Sequence, residues 1–399
     1  MSLNSTPTSE RIHIGFFGRR NAGKSSLVNA VTGQNLSIVS NTKGTTTDPV
    51  MKSMELLPLG AVTIIDTAGL DDEGELGSLR IEKTKQILRK VDIAILVIDA
   101  TEGIQKEDKD LIYDFEKNKT KYIIVYNKSD LLKQTILAKE NEIYTSAINN
   151  NNIYELKELI ASIYKKEVKE ITLVKDIVNA NDNVILVTPI DSSAPKGRLI
   201  LPQQQVTREL LEIGAITTII KETELTNAIN SLTNKPKLVI TDSQVFGKVN
   251  KELSNGILLT SFSILFARYK GVLDFAVQGV TKLETLKNND TILISEGCTH
   301  HRQCNDIGSV KLPNWIKEYT KKNLNFEYSS GNSFPTDLSK YAMIVHCGGC
   351  MLNDKEVLYR YNSATKQNIP ITNYGITIAY INKILKRSIE IFPNLYTII

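Results

Sequence analysis

The 399-residue chain is short of several things, and each shortage narrows what it can be. Lysine and arginine exceed aspartate and glutamate by only four. So small a net charge, with no obvious basic patch, argues against the clustered positive face that nucleic-acid binding uses. No apolar run is long enough to cross a membrane. The opening stretch 1–10 is polar, rich in Ser and Thr, and lacks the apolar core of a signal peptide. These features predict a flexible tail over 1–10 and a cytoplasmic protein that binds neither nucleic acid nor membrane. Cysteine is scarce as well: Cys298, Cys304, Cys347 and Cys350 are the four, all in the last third. In a reducing compartment such grouped thiols point to metal or redox chemistry rather than disulfides.

What is present begins with Gly18, Arg19, Arg20, Asn21, Ala22, Gly23, Lys24 and Ser25, which fit G-x-x-x-x-G-K-[ST] at every fixed position. Ile12, Ile14 and Phe16 alternate ahead of it as in a strand, and Ser26 to Val31 reads as a helix that Gly33 stops. The two glycines allow a tight path whose N–H groups face phosphate oxygens, with the helix start behind them. Lys24 supplies a point charge and the Ser25 hydroxyl a magnesium ligand. Arg19 and Arg20 are expected to face solvent.

The segment Gly44, Thr45, Thr46, Thr47, Asp48 offers a hydroxyl that can complete a magnesium shell when a third phosphate is bound, an order–disorder switch. The apolar run from Val62 ends at Asp66, placed to hold the ion through water, and Gly69 can bring an N–H to the terminal phosphate. Residues 71–77 would form a second mobile loop. The runs Ile93 to Ile98 and Tyr122 to Tyr126 read as buried strands. The second ends at Asn127, Lys128, Ser129 and Asp130. A buried Asp130 carboxylate can accept two N–H bonds from guanine that adenine does not offer. Asn127 and Lys128 would pack around the base, and Ser146 and Ala147, after Thr145, suit a backbone contact to the guanine oxygen.

From about 166 to 183 the chain is charged and polar and is read as a linker. Strand and helix patterns then alternate from 184 to 268 and again from 269 to 399, implying two small α/β domains with mainly parallel sheets. The apolar stretch Leu258 to Phe266 is expected in the core. A last helix is expected near Ala379 to Lys386. The middle domain carries no other pairing of catalytic residue types, so partner binding or self-association is its expected role. Cys298 with His300 follows one strand (Thr291 to Ser295). His346, Cys347 and Cys350 follow another (Tyr341 to Val345). Ligands gather at the carboxyl ends of parallel strands. If these strands are neighbours, the three cysteines converge. One C-x-x-C pair and a distant cysteine fit an iron–sulfur cluster ahead of zinc. Cys304, His300 or His346 would be the fourth ligand, while His301 is expected in solvent and His13 at a core edge.

Residues 12–164 resemble a small Ras-like P-loop GTPase domain. Asn21 and the 44–48 segment place it near the branch of tRNA-modification and ribosome-assembly GTPases. That resemblance implies GTP and Mg2+ as ligands, a K+ ion held partly by Asn21, and Thr46 as the magnesium threonine. Leu70 departs from the water-orienting Gln of many signalling GTPases, which implies slow, potassium-aided hydrolysis. Glu73 or Glu75 could assist. Behind this domain, Cys298, His300, His346, Cys347 and Cys350 resemble the HydF family, the maturation GTPases of di-iron hydrogenases. By that resemblance Cys298, Cys347 and Cys350 hold a 4Fe-4S cluster whose fourth iron is exchangeably ligated, with His300 or His346 as candidates and Cys304 and Asp306 without motif support. The family is dimeric and carries a transient 2Fe precursor from two radical-SAM maturation enzymes to apo FeFe-hydrogenase. The domains would then be a GTP-binding domain over 11–165, a dimerisation domain over 184–268 and a cluster-binding domain over 269–399. The rival is an RNA- or ribosome-associated GTPase with a zinc-stabilised C-terminal domain.

Overall fold

The structure is a computed structural model that describes residues 6–34, 50–67, 83–134, 136–165, 172–190, 199–297, 306–331 and 333–395. Thr45, Thr46, Gly69, Leu70, Glu73, Glu75, Cys298, His300, His301 and Cys304 lie outside the described residues. The chain divides into two compact units, Met1–Lys169 and Glu170–Ile399.

The first unit is a six-stranded sheet in the order β2-β3-β1-β4-β5-β6. Its strands are β1 (Ile12–Phe17), β2 (Val50–Leu56), β3 (Gly60–Asp66), β4 (Ile93–Asp99), β5 (Lys121–Asn127) and β6 (Glu142–Tyr144). All pairings are parallel except β2 against β3. All six residues of β1 are buried. The reason is its central place: Ile14 and Phe16 enter one apolar cluster and Phe17 another, so both faces are covered. Helix Lys24–Thr32 starts after the glycine loop and stops at Gly33, whose φ of 65° turns the chain left-handed. The ends of β1, β3, β4 and β5 thus meet at one edge, where ligands collect in such sheets.

The second unit holds two four-stranded sheets, ordered β10-β9-β7-β8 and β12-β11-β13-β14. The first is built from β7 (Asn183–Val187), β8 (Ile216–Ile220), β9 (Leu238–Thr241) and β10 (Leu258–Ser261). The second is built from β11 (Thr291–Glu296), β12 (Asn325–Ser330), β13 (Met343–His346) and β14 (Ile371–Asn373). Every pairing is parallel. One apolar cluster runs through both sheets. It includes Leu173, Val174 and Val178, so the polar stretch read as a linker buries its apolar pairs in this core. The residues from Leu258 to Phe266 are buried or nearly so, as β10 and the start of helix Phe262–Tyr269.

The last helix differs from the expectation. Helix Tyr374–Ile381 ends early and Leu385–Ser388 restarts, because Lys383 adopts a left-handed φ of 59° between them.

Helix Leu273–Val280 packs on β14 through Gly279. A Cβ there would lie 2.0 Å from the Ile371 carbonyl oxygen, which is backbone and cannot swing aside. Gly279→Ala should therefore cost about 2 kcal/mol or more, read in a thermal melt as a Tm lowered by roughly 4–8 °C.

Candidate functional site

The glycine loop is shaped by its neighbours. Gly18 has φ 137°, and a Cβ there would sit 2.2 Å from the Val97 carbonyl oxygen. Gly23 has φ 88°, and a Cβ would meet the Asn127 side-chain nitrogen at 2.2 Å. Asn21 takes φ 59° and is exposed at the loop's outer turn, while Ala22 is buried beneath it. Lys24 is buried, and its Nζ donates to the Gly18 and Arg19 carbonyls at 2.8 and 2.6 Å. Ser26 lies one residue further into the helix.

Ser25 and Asp66 meet. The Ser25 hydroxyl donates to Asp66 Oδ2 at 3.1 Å. Asp66 Oδ1 is buried and has no partner among the described residues. A buried carboxylate oxygen left open beside a hydroxyl fits a divalent cation, which takes oxygen ligands and bound water. Of the three residues expected at magnesium, Ser25 and Asp66 are thus neighbours, and Thr46 lies outside the described residues.

At the base side Asn127 is a brace. Its Nδ2 donates to the Ala22 carbonyl at 3.2 Å, and its Oδ1 accepts the Ala147 N–H at 3.1 Å. It ties the glycine loop to the 145–147 turn. The Ser146 N–H donates to the Asn151 carbonyl at 3.2 Å. Both amides expected at the guanine oxygen are therefore engaged within the domain. Asp130 stands in the short 3-10 turn Ser129–Leu131 and is exposed, open to a ligand rather than buried in advance. Lys128 takes φ 63° and donates its ammonium to Asp99 Oδ2. Burial raises the Asp99 carboxyl, but hydrogen bonds from Lys128 and Thr101 outweigh it, and the net shift is down.

Arg19 does not face solvent. It pairs with Glu102 at 2.6 Å and with the buried Asp108 at 3.4 Å. Burial raises the Asp108 carboxyl despite that partner. His13 is buried at the start of β1, its Nδ1 bonded to the Arg11 carbonyl at 2.9 Å.

In the second unit β11 and β13 are neighbours, in the register Ser295 opposite His346. Their ends therefore lie side by side. The Gly297 N–H donates to Cys347 Sγ at 3.0 Å, and the Gly349 N–H reaches the same sulfur at 3.4 Å. Gly297, the last described residue before Cys298, thus has its N–H on Cys347. Two amide donors at one sulfur stabilise thiolate over thiol. Gly349 turns the loop with φ 65°. Burial pushes the Cys350 thiol up, against a downward pull from its own and Met351's N–H groups and from Lys270. Cys347 and Cys350 form no disulfide with each other. Among the described residues no three side chains of His, Cys, Asp or Glu form a metal-binding group. A thiolate with amide donors is nonetheless the donor chemistry an iron–sulfur site uses.

His346 is buried and committed on both sides. Its Nδ1 donates to the Cys347 carbonyl at 2.6 Å, and Arg360 donates to its Nε2 at 3.2 Å. Burial and then the Arg360 charge hold its pKa down to about 3. Asp306 caps the π-helical turn Ile307–Lys311, and its Oδ2 accepts the Ser309 N–H and hydroxyl at 2.8 and 2.9 Å.

Three family models match. Residues 274–391 match the hydrogen maturase F tetramerization domain and residues 173–271 the hydrogen maturase F dimerization domain, together more than half of the chain. Residues 13–128 match the 50S ribosome-binding GTPase model. The chain belongs to the hydrogen maturase F family.

Curated relatives match part of this family member. They include GTPase Der of Nitratiruptor sp., 34% identical over 39% of this chain and 37% of its own length. Another is the tRNA modification GTPase MnmE of Mesoplasma florum, 34% identical over 43% of this chain and 36% of its own. The chain therefore spans well under half the length of the curated relatives it matches. Among solved structures, a variant of Aquifex aeolicus Era bound to GDP.AlF4- aligns with a TM-score of 0.34 and 20% identity over 52% of this chain and 93% of that one. The chain is a Ras-like P-loop GTPase domain followed by α/β structure with parallel sheets. No helix among the described residues is long and apolar enough to cross a membrane.

Sequence reading of this hydrogen maturase F chain missed Asp99, which anchors Lys128; its signal is an acid ending the buried run of β4. It also missed Arg360, fully buried and paired with Glu356 one helical turn away at 2.9 Å. An i,i+4 Glu–Arg pair usually marks a solvated face, so nothing in the pattern announces burial.

Proposed function

We propose that the protein is a GTP-hydrolysing scaffold in the maturation of di-iron hydrogenases. In this reading Cys298, Cys347 and Cys350 hold a 4Fe-4S cluster. The protein receives a 2Fe precursor made by two radical-SAM enzymes and delivers it to apo FeFe-hydrogenase. The observation that carries the reading is the Gly297 N–H on Cys347 Sγ, which seats the approach to Cys298 against the C-x-x-C loop. A cluster held by three thiolates keeps one iron able to take and release a bridging group. With both nitrogens of His346 engaged, His300 is the better of the two histidines for that fourth position. Anaerobic reconstitution with iron and sulfide tests the reading. A brown protein with a reducible cluster supports it, and a colourless chain that takes up only zinc overturns it.

GTP acts as a timing device. Lys24 exchanges its two carbonyl partners for phosphate oxygens, Ser25, Thr46 and Asp66 serve Mg2+, and Asn21 shares a K+ ion. Magnesium neutralises phosphate charge when bound. Gly69 gives an N–H to the terminal phosphate, and Asp130 selects guanine. Nucleotide state then alters partner docking through the 44–48 and 69–77 segments.

Oligomerisation follows from the two hydrogen maturase F domains. We place the dimer contact on β8, an outer strand of its sheet with Ile216 and Ile219 53% and 44% exposed. An open parallel edge with apolar side chains is a template for a second copy. Ile219→Lys should weaken the dimer at least tenfold, about 1.4 kcal/mol, as read by sedimentation equilibrium.

A further inference from the structure

Lys270 closes helix Phe262–Tyr269 in the dimerization domain, yet its side chain works on the cysteine loop. Only 4% of that side chain is exposed. Its Nζ donates to the Leu352 carbonyl at 3.1 Å and to Asp354 Oδ1 at 2.6 Å. Those two groups bracket the turn that leads from Cys350 into helix Asp354–Lys366. Burying an ammonium is costly, and a neutral donor would satisfy the Leu352 carbonyl equally well. The counter-charge is also weakened, since the Asp354 side chain is 52% exposed and water screens it while Lys270 stays dry. The buried positive charge therefore sits on the Leu352 carbonyl, two residues after Cys350 in the cysteine loop. The other buried cation near the loop, Arg360, is neutralised by Glu356, which is itself buried.

We propose that Lys270 is a positioning residue whose fixed charge sets the reduction potential of the cluster held at Cys347 and Cys350. The inference rests on the cluster reading given above. Three thiolates leave a four-iron core anionic, and one-electron reduction adds a further negative charge. A buried cation beside the site favours the reduced form and raises the potential.

The experiment is an anaerobic redox titration of the reconstituted full-length protein, with dithionite as reductant and electron paramagnetic resonance as readout. Lys270→Met should keep its iron and sulfide but shift the reduced-to-oxidised ratio at fixed potential about tenfold toward oxidised, a fall of roughly 59 mV. Lys270→Arg should stay near wild type. Asp354→Asn, which removes the counter-charge and leaves the lysine, should move the midpoint upward. A loaded Lys270→Met protein with an unmoved midpoint overturns the inference and leaves the cluster reading standing. If Lys270→Met does not load, the Asp354→Asn arm decides: a rise supports the inference, and an unmoved or lowered midpoint overturns it. A wild-type chain that takes up no iron overturns both.

Discussion

Lys24→Ala should lose GTP turnover by about 10²–10³-fold, ~3–4 kcal/mol of transition-state stabilisation, while its iron uptake stays at the wild-type level. The size follows from where the ammonium sits. It is buried and held by the Gly18 and Arg19 carbonyls, so it is fixed within the glycine loop. Phosphoryl transfer spreads negative charge over the transferred group, and a preplaced cation answers it. Alanine leaves two carbonyls without that partner and the phosphates without that charge. Steady-state phosphate release measures the loss. Iron and sulfide analysis of the same sample measures the second half of the expectation. It follows from the division of the chain at Lys169, with the cysteines in the other unit. Loss of the cluster together with turnover would show that the units are not independent.

The nucleotide half of the molecule was legible because its motifs are contiguous. Gly18 to Ser25 is one stretch, and each later element follows a recognisable buried strand. What the pattern could not give was the use of the side chains. Asn127 also braces two loops, which the motif does not announce, because its reach to Ala22 and Ala147 depends on how β1 and β5 are ordered around β4. Arg19 reads as a solvent residue because its partners, Glu102 and Asp108, are more than eighty residues away. The cysteine half was legible as a conditional statement. Strand ends converge only if the strands are neighbours, and the β11–β13 register supplies that condition. His346 shows the opposite limit. Its place beside Cys347 invites a ligand role, but the tertiary packing that brings Arg360 to it leaves neither nitrogen open.

Cys347→Ser should reduce reconstituted iron from about four atoms per chain to below about one, with Cys304→Ser unchanged. The first expectation rests on what the Cys347 sulfur receives. Amides of Gly297 and Gly349 point at it, an arrangement that stabilises a charged thiolate. A serine hydroxyl stays protonated at neutral pH and offers iron a hard, poorly donating oxygen in place of a soft sulfur. The same substitution removes the sulfur that the Gly297 N–H rests on. The comparison with Cys304 decides what kind of site this is. A scaffold needs one iron whose ligand can leave, and a fourth cysteine would close that position. Iron analysis and visible absorbance after anaerobic reconstitution separate the cases. If Cys304→Ser loses iron as completely as Cys347→Ser, the core is sealed by four thiolates and cannot accept a bridging cargo. Retention of all the iron by Cys304→Ser leaves the exchangeable corner to a weaker ligand, and a labile corner is what permits release.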